Sequence, residues 1–181
     1  MHPLRSLLAS AAMAGLMLAS KAAAAEKTDA FMIHPILSLA ISGLHVSYES
    51  GFGKDKRWAY EIPFYLGYSE HYSTNATLFT GSGLGVRRYL VDPGKGTFIS
   101  PEIEIVNLHR FSSGPEARAD VLVVVPSFCM GYKWRWNIMT MEAGAGAAFY
   151  KSEVTNGNWD TRENRISVLA PIGHFAAGIP F

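Results

Sequence analysis

Cysteine is nearly absent: Cys129 is the one thiol in 181 residues. A single cysteine excludes an internal disulfide and any metal site built from several thiolates. Neither sign of charge dominates. Sixteen Lys and Arg face fifteen Asp and Glu, giving a formal net charge of +1, and no basic run stands out. That balance argues against nucleic acid as a partner. The chain has no internal repeat, no low-complexity tract and no composition shift that marks a linker, so one domain is expected. Its one long apolar run, Leu7 to Ala19, is too short for a membrane-spanning helix. If the mature protein sits in a membrane, strands must carry it across, because only helices and closed barrels satisfy their backbone within lipid.

What is present begins with a targeting segment over residues 1–25. Arg5 supplies a positive start, Leu7 to Ala19 an apolar middle, and Ala22-Ala23-Ala24-Ala25 a small-residue cleavage site before Glu26. Cleavage after Ala25 removes Arg5 and Lys21, which takes 16 basic residues to 14 against 15 acidic. Residues 26–181 form the expected barrel domain.

The clearest stretch is Trp58 to His71. Trp58, Tyr60, Ile62, Phe64, Leu66 and Tyr68 alternate with Ala59, Glu61, Pro63, Tyr65, Gly67 and Ser69. Successive strand residues point to opposite faces. One face is thus an apolar band with aromatics at both ends, and the other is small or polar. A tilted spanning strand needs roughly 9–11 residues, and aromatic girdles flanking an apolar band are the mark of a lipid-facing wall. A soluble sandwich with one buried face is the rival architecture.

Similar alternation predicts strands over 36–50, 78–91, 97–110, 120–134, 138–150 and 165–181. In the strand over 97–110, Ile99, Pro101, Ile103 and Ile105 alternate with Glu102 and Glu104. The carboxylates must face a lumen, since charge cannot cheaply face lipid. Beyond Ile105 the phase shifts to Val106 and Leu108, which predicts a bulge. Gly81, Gly83 and Gly85 repeat at period two on the side of Arg87, which suggests a tightly curved wall or a crowded lumen. Their spacing is not that of a phosphate-binding loop.

Seven strands are thus signalled, yet single-chain bacterial barrels have even numbers. Short turns near 51–56, 92–96 and 134–137 belong to one end. The more polar connections near 72–77, 112–119 and 151–164 belong to the other. An additional strand must precede residue 36, and residues 28–37 are its place. The expected fold is all-β, an eight-stranded antiparallel up-and-down transmembrane barrel. Trp58, Tyr60, Tyr68, Tyr132, Trp134 and Trp136 would form its aromatic girdle.

Phe181 ends the chain, with Phe175, Ala177 and Ile179 alternating before it. That ending resembles the C-terminal assembly signal of bacterial outer-membrane barrels, with Phe175, Ile179 and Phe181 as its apolar residues. Other segments point to a narrower group. His34-Pro35-Ile36-Leu37 leads into Val46-Ser47-Tyr48-Glu49, and Gly131-Tyr132-Lys133-Trp134 follows centrally. Together they resemble a family of short Gram-negative outer-membrane barrels of unassigned function. In that family an Asn-Pro and apolar run leads to a Tyr-Glu strand end, followed by a central Gly-Tyr-x-Trp. Here His34 replaces the Asn. The resemblance implies cleaved export and residence in the outer membrane. The implied partners are outer-membrane lipid, lipopolysaccharide and the barrel-assembly machinery. It carries no catalytic residues.

Turn positions bring one lumen layer together: His45, Glu61, Arg87, Glu102, Cys129, Glu142 and His174, with Glu104 nearby. The expected pairings set Glu61 against Arg87 and near His45 or Ser47, Arg87 near Glu102, Glu102 near Cys129, Cys129 against Glu142, and Glu142 near Ile172 or His174. A small barrel has a lumen that side chains fill. Buried carboxylates need partners, and the Arg87 fork can bridge two of them. The predicted role is therefore structural or interactive, with a charged, plugged lumen and a likeness to porins in wall alone. The monomer needs no cofactor and no metal ion. Two alternatives belong to other classes. His71 and Ser73 form a His-x-Ser pair that resembles the pair used by lipid A deacylase barrels, which implies a lipid A-modifying hydrolase. A hydrated lumen would instead make a narrow small-solute channel.

Overall fold

The computed structural model describes residues 28–35, 43–71, 75–112, 119–157 and 167–181. The targeting segment lies outside them. The described chain is all-β: eight antiparallel strands in sequence order close into a barrel, with β1 pairing β8. The strands are β1 (Ala30–Ile33), β2 (Gly43–Phe52), β3 (Trp58–His71), β4 (Asn75–Tyr89), β5 (Gly96–Ser112), β6 (Ala119–Arg135), β7 (Thr140–Gly157) and β8 (Ser167–Pro180). The additional strand demanded by parity is β1. It is four residues long and bonded to β2 on one side and β8 on the other.

Two local expectations fail. No bulge interrupts β5. Its register with β4 and β6 runs on through Val106, Asn107 and Leu108, so Val106 and Leu108 turn inward by simple alternation. The apolar phase shift arises because the lumen takes apolar side chains at that height. The shift in register lies instead between Asp120 and Val121, where β6 meets β7. The turn expected at 134–137 sits two residues later, because β6 runs to Arg135 and the Trp136 N–H donates to the carbonyl of Met139. Strand β7 also reaches Gly157, so much of the polar stretch 151–164 is wall.

The strands are strongly staggered. Following cross-strand partners from Ala30 through Glu49, Glu61, Gly85, Glu102, Ser127 and Ala148 leads to Ala170. The β8 partner of Ala30 is Pro180, so the circuit slips by ten residues. For eight strands this matches a tilt of about 40°. Side chains that meet in the lumen are therefore not register partners.

Asp29 fastens the seam at the end of the barrel that carries the tight turns. Its carboxylate accepts bonds from Ser50 Oγ at 2.9 Å and the Gly51 amide at 3.3 Å. Its carbonyl accepts from the Phe181 amide at 3.0 Å and from Arg135 Nη2 at 2.6 Å. In the β4–β5 turn, Gly94 adopts φ 64°, a conformation open to glycine, and a side chain there would run into the Arg135 guanidinium.

The burial pattern is inside-out. Every strand carries at least one exposed large apolar residue, among them Ile33, Phe52, Phe64, Leu84, Ile103, Phe128, Phe149 and Leu169. The buried residues include Glu49, Glu61, Arg87, Lys133 and Glu142. Below them, towards the turns, lie two small apolar clusters: Ala59, Tyr89 and Phe98, and Ala30, Met32 and Ala176.

Two aromatic rings inside the wall lie over glycines on the neighbouring strand. Phe79 covers Gly67, and Phe98 covers its partner Gly131. A Cβ on Gly131 would stand 2.6 Å from the Phe98 ring and 2.6 Å from the Ala143 carbonyl. Gly131→Ala should therefore destabilise the barrel by about 1–3 kcal/mol, the usual cost of overpacking. A lowered urea midpoint in detergent micelles would report it. An unchanged midpoint would mean that the ring yields freely.

Candidate functional site

Arg87 stands at the centre of the lumen because β4 alternates. The glycines at 81, 83 and 85 precede it on the same face, and the long side chain projects across the space they leave. A Cβ on Gly85 would stand 2.7 Å from Glu102 Cγ, so the glycines are required by crowding. Arg87 Nη1 donates to Glu49 Oε2 at 2.6 Å and to Glu142 Oε2 at 2.7 Å. Nη2 donates to Glu61 Oε2 and, at 3.2 Å, to Glu142 Oε1. One guanidinium thus holds three carboxylates, from β2, β3 and β7, where two were expected. The planar fork of donors makes this possible; an ammonium could not match it.

The belt continues around the wall. Lys133 Nζ on β6 lies 2.8 Å from Glu49 and 3.6 Å from Glu142, a charge contact outside hydrogen-bond geometry. Tyr89 donates its hydroxyl to Glu49 at 2.8 Å. Ser47 donates to Glu61 at 2.6 Å, and the Nε2 of His34, the residue after β1, sits 3.0 Å from Ser47 Oγ. His174 Nε2 on β8 is 3.2 Å from Glu142 Oε1. From β5 comes a ring: Phe98 lies 4.1 Å beneath the Arg87 guanidinium, a cation–π contact. Each of β2 to β8 supplies at least one member, and His34 directly follows β1. Arg87 is 1 % exposed, while Glu49, Glu142 and Lys133 are fully buried, so the belt fills its cross-section.

Four of the seven expected charge-network residues form this belt: Arg87, with Glu61 and Glu142 on its guanidinium and His174 on Glu142. The others sit on the loop side of it, the end opposite the tight turns. Glu102 accepts from Ser100 at 2.7 Å, and Glu104 accepts the hydroxyl of Tyr65. His45 stacks between His34 and Tyr65, with ring centroids 3.9 and 4.1 Å away. In register the expected pairings are each off by two residues or more, although the side chains of Glu61 and Arg87, and of Glu142 and His174, do meet. Arg87 faces Ala59, while Glu61 and Glu102 both face Gly85. Glu102 also faces Ser127, Cys129 faces Gly146, and Glu142 faces Ala176. The stagger is the reason: a layer drawn along register rows climbs the barrel, whereas a real layer crosses them.

Glu49 and Lys133 were missed as partners, and so was His34. The signal for the first two was in the sequence. Glu49 follows His45 and Ser47 at period two, and Lys133 follows Cys129 and Gly131 in the same way.

Above the belt lies a cavity of about 130 Å³. Its walls include Tyr65, Glu102, Glu104, Cys129, Tyr150 and His174. Cys129 Sγ is 3.2 Å from His174 Nδ1. Among the described residues, no three His, Cys, Asp or Glu side chains converge as metal ligands. Ser73 lies outside the described residues, as does the side chain of His71. On the outer wall, Tyr68, Tyr132, Trp134 and Trp136 are exposed, and Trp58 and Tyr60 are partly so. Of the terminal apolar residues, Ile179 is exposed, Phe175 is half-buried, and the Phe181 ring stacks near Tyr48 with centroids 6.1 Å apart.

No family model, no curated protein and no solved structure matches this chain.

Proposed function

We propose that this barrel is a small monomeric outer-membrane protein of Gram-negative type. It acts through its presence in the membrane and through what its loop end presents, and its lumen does not conduct. The observation that carries the reading is the inverted burial. Large apolar side chains leave the wall on all eight strands, while a guanidinium, an ammonium and three carboxylates are sealed inside. A soluble monomer rarely exposes more than a few hundred Å² of contiguous apolar surface. A continuous apolar band suits lipid, and the outward Tyr and Trp side chains suit its two interfaces. In this reading the partners are outer-membrane lipid and lipopolysaccharide around the wall. The barrel-assembly machinery meets the outward Phe175, Ile179 and Phe181 of the last strand. The hydrolase alternative has no described geometry to rest on, and a channel would need a path through the Arg87 belt.

Fractionation and conductance test this together. The mature chain should require detergent for release from the outer-membrane fraction, and its gel band should shift on boiling. In planar bilayers it should give no discrete current steps. Release by osmotic shock without detergent would sink the membrane assignment. Resolved steps from the folded protein would sink the sealed lumen.

A further inference from the structure

The belt leaves one reactive group on its loop side. Cys129 on β6, His174 on β8 and Glu142 on β7 stand in a line. Cys129 Sγ is 3.2 Å from His174 Nδ1, and His174 Nε2 is 3.2 Å from Glu142 Oε1. Glu142 is fixed by Arg87 and Lys133, so it acts as a salt-bridged carboxylate that only accepts. Nε2 then donates to Glu142, and Nδ1 is the ring atom that faces the thiol and can hold its proton. Nucleophile, base and orienting acid thus meet the geometric requirement of an activated nucleophile.

Gly144 makes the approach possible. A Cβ there would stand 2.6 Å from the His174 ring and 2.8 Å from Cys129 Sγ. The thiol also has two carbonyl oxygens within reach as acceptors, of Ala145 at 3.4 Å and Met130 at 3.7 Å, both farther from the sulfur than His174 Nδ1. Both Cys129 and His174 border the 130 Å³ cavity, which Glu102 and Glu104 also line. Cys129 is 2 % exposed, so a reagent must reach it through this cavity, past two carboxylates.

We propose that Cys129 is a nucleophilic thiol site, assisted by His174 and Glu142, that takes small neutral or cationic electrophiles from the loop side of the lumen. Hydrogen peroxide is the smallest of the class. There the sulfur–oxygen bond forms as the O–O bond breaks. The thiol is oxidised to a sulfenic acid and the peroxide is reduced to water, with His174 relaying the thiol proton to the leaving hydroxide. With a methanethiosulfonate, the new disulfide bond forms as methanesulfinate leaves, and the thiol proton passes to Nδ1. The site goes beyond the structural role proposed above and does not require a membrane location.

Because Cys129 is the sole thiol, any adduct reports on it. Folded wild-type barrel in detergent is treated at pH 7 with aminoethyl or sulfonatoethyl methanethiosulfonate and followed by intact mass. One adduct per chain should form. The cationic reagent should react at least about tenfold faster than the anionic one, as field focusing in a charged cleft allows. His174→Gln, with its boiling shift intact, should slow the cationic reaction by at least about tenfold, the lower range of what a positioned base supplies. If His174→Gln does not fold, the wild-type rate is set against the urea-unfolded chain. An unassisted buried thiol must be slower there, and slower overturns the proposal. No adduct on the folded protein, equal rates for both reagents, or an unslowed folded His174→Gln would each overturn it as well.

Discussion

Arg87→Met should unfold at markedly lower urea than the wild type, and much of it should fail to reach the heat-modifiable state. The side chain is nearly isosteric along its stem, so packing is largely kept. What is lost is the one donor set that holds Glu49, Glu61 and Glu142 at once. Lys133 reaches Glu49 and Glu142 but is not in contact with Glu61. Removing one partner from a buried ion pair costs about 3–5 kcal/mol, because the remaining charge stays desolvated. Here three carboxylates lose a shared cation, and whole domains are stable by only about 5–15 kcal/mol. Arg87→Lys should fall between, since an ammonium cannot fork to three acids. Adding Glu142→Gln to Arg87→Met should recover part of the loss by removing one unpaired charge.

The neighbouring arginine is the control. Arg88 points out of the wall, 4.9 Å from the Trp58 ring. Its cation–π contact is worth roughly 0.5–1 kcal/mol at such an exposed site, so Arg88→Met should be nearly silent. If the two methionine variants unfold at the same urea concentration, the belt contributes no special stability and the lumen must be held closed by wall pairing alone.

The contrast between these two adjacent residues also shows what a sequence can carry. Period-two alternation assigns Arg87 to the lumen and Arg88 to the outside, and it reads Trp58 to His71 as the strand the structure contains. Alternation is local, and local sterics enforce it at every residue. The partners of Arg87 were not legible in the same way. They depend on the stagger of ten residues around the circuit, a property of closure that no single strand displays. Drawing the layer along turn-derived pairings brought in Glu102 and left out Glu49, though both lie on inward faces. Lys133 was hidden by its surroundings: Tyr132, Trp134 and Trp136 read as a girdle beside a turn, and one inward cation among them was easy to assign to that turn. His34 directly follows the one strand with almost no alternation of its own, and β1 is defined by its two neighbours more than by its four residues. The line from Cys129 through His174 to Glu142 was legible in part: turn-derived pairings put all three in one lumen layer, but the true register, Cys129 opposite Gly146 and Glu142 opposite Ala176, sets His174 between the other two.

Ile103→Arg should separate a barrel in lipid from a barrel in water more sharply than any lumen variant. Ile103 lies near the middle of β5, points outward and is 49 % exposed. Neighbouring strands place Pro126 and Leu84 beside it, so no acidic group is in register to receive a cation. At the midplane of a bilayer an arginine on the lipid face costs about 2–4 kcal/mol, falling to roughly 0–1 near the interfaces. In water the same substitution removes an exposed apolar side chain and should be within about 0.5 kcal/mol of neutral, as surface changes usually are. Ile138→Arg supplies the comparison, because Ile138 is 83 % exposed in the β6–β7 turn, at the rim of the wall. Refolding from urea into lipid vesicles gives the measurement. Ile103→Arg should lose about 2–4 kcal/mol and Ile138→Arg at most about 1. Equal, near-zero losses for both would mean that the apolar outer wall meets something other than hydrocarbon. The inverted burial would then have to be explained by a protein partner covering the barrel around its whole circumference. The buried belt would remain as it is, since its energetics depend on the absence of water inside and not on what lies outside.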